Sequence, residues 1–165
     1  METSTEQPKS VMPELARRHR ATATTIRVLL IVSLLLAAIA YLVSRSLQPQ
    51  SNPQLDIAVR ITILVFGLGA MALRRTKFAT MRLQDIAALK GASGLLITLQ
   101  RTTLQVAGLA AVIAVVGFVA MLLTGNAFYS YGASLVSIAV LLYGYPVRSS
   151  WENALRRFAP GPQSN

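Results

Sequence analysis

Cysteine is absent from this chain, histidine and tryptophan occur once each, and only six residues are acidic. Without cysteine there is no disulfide and no thiolate metal site. The single histidine, His19, lies in a polar N-terminal segment, where a solvated side chain is the ordinary outcome. The acids are Glu2, Glu6, Glu14, Asp56, Asp85 and Glu152, and no two of them have the spacing of a metal site or an acid–base pair. No catalytic, cofactor-binding or metal-ligating residue is therefore expected, and the chain reads as a non-enzyme that needs no cofactor. Charge is also missing locally. Thr102 to Val147, 46 residues, contain no Asp, Glu, Lys, Arg or His.

Apolar residues fill that gap. Hydrophobic residues make up 53% of the chain and charged ones only 13%, a balance that leaves too little polar surface to cover a soluble core of this size. One membrane helix needs about 20 apolar residues, so the charge-free run holds two, separated by the polar turn Thr124-Gly125-Asn126. The expected fold class is all-α, an integral membrane four-helix bundle with short cytoplasmic interfacial helices. Its transmembrane domain covers 25–158, with helices at about 26–44, 57–73, 104–123 and 133–147. A polar basic tail, 1–24, precedes it and a disordered tail, 159–165, follows. The basic segment, apolar run and Ala38-Ile39-Ala40 also resemble a cleavable secretory signal. Apolar character continues through Tyr41-Leu42-Val43, which favours an uncleaved first helix.

Between the spans, Pro49 and Pro53 mark a loop, and Gly91 and Gly94 bracket a break. Residues 78–89 read as a short helix on the membrane surface or against the bundle. Trp151, Leu155 and Phe158 recur at i, i+4, i+7 opposite Arg156 and Arg157, which predicts a second interfacial helix at 150–158. Ser149 and Glu152 have capping-box spacing at its start. Arg60 interrupts the second run, and Asp56 four residues earlier is its expected ion-pair partner. Phe128, Tyr129 and Tyr131 follow the turn as an aromatic belt.

The net charge of +10 sits in segments that flank the apolar runs. It therefore reads as membrane topology, and nucleic acid is not an expected partner. The N-terminal segment, 74–101 and the C-terminal segment hold nearly all the Lys and Arg, which predicts a multi-pass protein of the plasma membrane with both termini cytoplasmic. Arg74, Arg75, Lys77, Arg156 and Arg157 are the residues expected at anionic lipid headgroups.

Polar residues within the spans are few. Ser33, Thr62, Ser134 and Ser137 are expected to bond to their own backbone or to a neighbouring helix. Small residues are more conspicuous: Ala107, Gly108, Ala110, Ala111, Ala114 and Gly117 on the third helix, Gly67 and Gly69 on the second. Such residues let helices approach closely, so that dispersion contacts accumulate without polar groups. They predict packing within the bundle, between copies in a homo-oligomer, or against a larger membrane complex.

The run Val106–Leu123, VAGLAAVIAVVGFVAMLL, resembles the second helix of the c-subunit (proteolipid) of rotary ATP synthases. The resemblance implies a hairpin of helices two and three with its basic loop in the cytoplasm. With Gly117 set against the proteolipid glycine, Ala111 stands where the ion-binding carboxylate belongs, and alanine cannot carry a proton. More broadly, helices two to four resemble those of uncharacterised small bacterial four-helix membrane proteins built around such a hairpin, in which an aromatic-Pro-basic stretch precedes a Trp, as in Tyr145-Pro146-Val147-Arg148 and Trp151. The function expected is that of an accessory, assembly or scaffold subunit acting through helix packing. A small transporter or oligomeric pore component is the alternative.

Overall fold

The computed structural model describes residues 8–47, 53–77 and 80–158; the expected disordered tail at 159–165 lies outside them. The described chain is five helices: α1 (Pro8–Ser44), α2 (Pro53–Lys77), α3 (Thr80–Thr124), α4 (Ala127–Tyr143) and α5 (Arg148–Phe158). Three stretches are long and apolar enough to cross a membrane: Met12–Ser44, Pro53–Thr76 and Gly91–Thr124. The pair α4 and α5, bent by 43°, makes a fourth if counted as one broken span.

Central α3 packs against α1, α2 and α4, and α4 packs in turn against α1 and α2. The core of the apolar region joins Ile26, Ala70, Val106, Ala107, Ala110, Val140 and Leu141, one or more from each of these four helices. The outward faces of α1 and α2 remain apolar, with Leu34, Leu42, Leu64 and Leu68 all more than half exposed. A soluble domain would be penalised for such a surface; hydrocarbon tails would not penalise it.

The structure departs from the sequence reading in several places. The expected tail at 1–24 is helical from Pro8 onward, because Leu15, Thr22, Ala23 and Ile26 share one face of α1 and that face is buried. At 37 residues, α1 is about 55 Å long, nearly twice the roughly 30 Å of a hydrocarbon core. Helix α2 begins at Pro53 rather than at 57, since proline suits a first turn where the N–H has no partner. Segment 80–90 joins the third helix through Gly91, whose φ of 65° and ψ of −169° make the break. Gly94 lies beyond that break, within the helix. Of the segment expected at 78–89, residues 78 and 79 lie outside the described residues.

Helix α4 occupies 127–143 instead of 133–147. Asn126 caps its start, its side chain accepting from Phe128 N at 3.0 Å, so Phe128 and Tyr129 of the aromatic belt lie in its first turn and Tyr131 in its second. The tight turn before it closes on Gly125, with a φ of 69° and an N–H that donates to Met121 O at 2.8 Å, a left-handed helix cap that suits glycine. Gly144 and Pro146 end α4, Pro146 having no N–H with which to continue it. At α5 the capping box is not formed. The Ser150 and Trp151 N–H groups donate to Val147 O, and Glu152 instead takes the Arg148 Nε–H at 2.7 Å. The apolar side of α5 also turns inward: Trp151 and Leu155 are buried in protein.

Candidate functional site: the basic end

The first turns of α1, the early part of α3 and α5 meet at one end of the described structure, and a second hydrophobic core is built there. Leu15 of α1, Ala87, Leu95, Leu96 and Leu99 of α3, and Trp151 and Leu155 of α5 form one buried cluster. Leu15, Leu95 and Leu96 are fully buried. The projecting parts of α1 and α3 are thus clamped by α5 into a short helical stalk.

Polar contacts close the stalk around that cluster. The Nε2–H of His19 donates to Pro146 O at 2.9 Å, and its ring meets Trp151 edge to face at 5.8 Å. Arg18 pairs with Glu14 at 2.7 Å and donates through Nη1 to Gln100 Oε1 at 2.9 Å, linking α1 to α3. Where the stalk meets the apolar region, two tyrosines hold two arginines. Arg27 Nε donates to Tyr145 Oη at 3.1 Å, and the Arg74 guanidinium lies 4.4 Å from the Tyr143 ring centre, within the range of a cation–π contact. Arg74 is half-buried by this stacking; Arg75, Arg156 and Arg157 are exposed. The side chain of Lys77 lies outside the described residues.

The small residues divide sharply. Ala107, Ala110 and Ala114 are buried in the protein's own interior. At Gly117 α3 and α4 approach closely: a Cβ there would sit 2.0 Å from Ala133 Cβ and 2.7 Å from Tyr129 O. A Cβ at Gly67 would meet Val136 Cγ1 at 3.1 Å. By contrast, Gly69 and Gly108 are exposed, with open space where a Cβ would stand. Ala111 is half-buried. The eight positions therefore do not form one shared face.

A serine seam joins α1 to α4. Ser33 and Ser137 hydrogen-bond across it at 3.2 Å, as expected for hydroxyls that find a neighbouring helix, while Thr62 bonds to its own backbone at Ala58 O. Ser130 and Ser134 extend the same buried face of α4, and their hydroxyls have no partner among the described residues. The cross-contacts 19–146, 27–145 and 33–137 run in opposite chain directions, so the two helices are antiparallel and Ala40, fully buried, is level with Ser130. The sequence reading did not include Ser130, although its spacing from Ser134 and Ser137 puts all three on one face of a helix.

At the opposite end, Asp56 accepts from Arg60 Nε at 2.9 Å and from Tyr129 Oη at 2.6 Å. The first bond is the i, i+4 pair expected from sequence. The second ties α2 to α4 and was not expected, because nothing in the order of residues brings Tyr129 beside position 56. Comparison with protein-family models, with curated proteins and with solved structures gives no match.

Proposed function

We propose that this chain is a multi-pass protein of the plasma membrane, a four-helix bundle with both termini cytoplasmic. In this reading it performs no covalent chemistry and acts as an accessory, assembly or scaffold subunit of a membrane complex. The observation that carries it is the second core at the basic end. A docking subunit needs a surface of fixed shape beyond the bilayer, because ordering a mobile one on binding costs affinity. The clamped stalk of α1, α3 and α5 supplies one. The basic residues of this end face the cytoplasm by the positive-inside rule, with Arg74, Arg75, Lys77, Arg156 and Arg157 near anionic headgroups, each worth about 1 kcal/mol. The likeness of α2 and α3 to a proteolipid hairpin enters as helix packing, with Ala111 in place of the ion-binding carboxylate.

The test is recovery of the tagged full chain from its own membranes in a mild detergent, followed by native mass spectrometry. A stoichiometric assembly with other proteins, lost in Trp151→Ala while membrane integration persists, is the expected result. Recovery of the chain alone would end this reading. A reporter after Asn165 that faces away from the cytoplasm would overturn the orientation.

The serine seam favours one second reading, a small transporter or oligomeric pore component, since transport paths place polar groups inside the spans. A uniform high-order homo-oligomer with solute flux in liposomes would support it; background flux across ions and small solutes would sink it.

A further inference from the structure

One exposed stripe of α3 combines hydrogen-bond donors with open apolar surface. An open, shallow groove of about 370 Å³ is lined by Ile97, Gln100, Arg101, Leu104 and Gln105. Its polar groups favour an anion. Arg101 is exposed and has no hydrogen bond or ion pair to any other described residue. Gln100 has its Oε1 occupied by Arg18, which leaves its NH2 as the group to offer a ligand. The Arg18 charge is itself countered by Glu14. Gln105 adds a second amide.

The groove has a defined depth. A Cβ on Gly144, at the end of α4, would stand 3.3 Å from Val106 Cγ1, so Val106 is level with the collar of Tyr143, Tyr145, Arg27 and Arg74. Gln105 adjoins that level, and Arg101 lies about 6–8 Å further out along the helix. A headgroup layer is about 5–8 Å deep on each side of a bilayer. On the other side of Gln105 the same stripe becomes smooth and apolar. Gly108 opens a notch with nothing within 4 Å of its missing Cβ, and Val112 and Val115 follow, 44% and 51% exposed.

We propose that this stripe is a binding site for one anionic phospholipid of the surrounding bilayer, its phosphate held by Arg101, Gln100 and Gln105 and an acyl chain laid along Gly108, Val112 and Val115. The proposal rests on the membrane reading above. Charge complementarity selects the occupant: the donors of the groove call for an anion, and the apolar stripe continuous with it calls for a hydrocarbon chain on the same molecule.

Native mass spectrometry of the purified full chain tests this, with phosphatidylglycerol and phosphatidylcholine of identical acyl chains added in turn. One phosphatidylglycerol should be retained about tenfold more tightly than phosphatidylcholine, the scale of one charge-assisted contact. Arg101→Ala should abolish that preference. Gly108→Leu, which fills the notch, should weaken retention of both lipids, and Arg45→Ala, just past the far end of α1 where the side chain stacks on Tyr41, should leave the preference intact. Unchanged selectivity in Arg101→Ala overturns the proposal, as does equal loss in Arg45→Ala, displacement by free glycerol phosphate, or a second copy of the chain in place of lipid. Alkaline extraction separates the two levels of failure. A chain stripped from vesicles refutes the membrane reading, whereas an integrated chain without lipid preference refutes this site alone.

Discussion

Adding one methyl group at Gly117 and one at Gly108 should have opposite effects, although both glycines lie on α3 nine residues apart. At Gly117 the new Cβ would sit 2.0 Å from Ala133 Cβ and 2.7 Å from Tyr129 O. Carbon atoms make contact at about 3.5–4.0 Å, so α3 and α4 must separate locally by about 1.5–2 Å. Neither opposing atom can rotate away, because one is backbone and the other is fixed to it. Overpacking of this kind costs about 1–3 kcal/mol, and the separation also loosens neighbouring contacts, since a gap of 0.5–1 Å forfeits about a quarter to a half of a dispersion well. Against this stands the helix preference of alanine over glycine, about 1 kcal/mol. The net loss for Gly117→Ala is about 2 kcal/mol. Gly108→Ala meets nothing within 4 Å and should gain up to about 1 kcal/mol. The difference, about 3 kcal/mol, is roughly a hundredfold in the folding equilibrium. Denaturant titration of both variants in the same detergent, followed by circular dichroism, measures it. Equal stabilities would refute the packing argument.

Three further outcomes follow from the same geometry. Gly91→Ala should destabilise the chain by about 1–3 kcal/mol, because a φ of 65° with a ψ of −169° belongs to a region reserved for glycine; Gly94→Ala should not show this strain, and thermal unfolding distinguishes the two. Trp151→Ala should free α5 at a cost of about 3–5 kcal/mol, seen as rapid hydrogen exchange at 148–158 while exchange in α2 is unchanged. A double-mutant cycle on Ser33→Ala and Ser137→Ala should give a coupling of about 0.6 kcal/mol, the average for hydrogen bonds between membrane helices; zero coupling would show that the 3.2 Å contact contributes nothing.

The first three apolar runs fall within α1, α2 and α3 and the fourth overlaps α4, because a long apolar run satisfies its backbone polar groups within itself as a helix. That demand is local, and composition reveals it. The stalk was less legible. Leu15, His19, Thr22 and Ile26 have helical spacing, but two of the four are polar, so the pattern resembles a solvated tail. It becomes a buried face only when Trp151 and Leu155, well over a hundred residues away, pack against Leu15. The apolar face of α5 was visible from sequence at 151 and 155. Whether it would meet lipid or protein was not, since both reward the same apolar side chains.

Sequence alone determined the helical class, the apolar lengths, the polar turn at 124–126 and the concentration of positive charge near the termini and the central loop. These follow from backbone hydrogen bonding, hydropathy and residue order. Tertiary structure alone decided that Gly117 is sealed against Ala133 while Gly108 is open, that Tyr129 reaches Asp56, and that α5 clamps a stalk. A glycine's sequence neighbourhood does not reveal how close another helix will come; that distance is set by how the whole set of side chains packs between them.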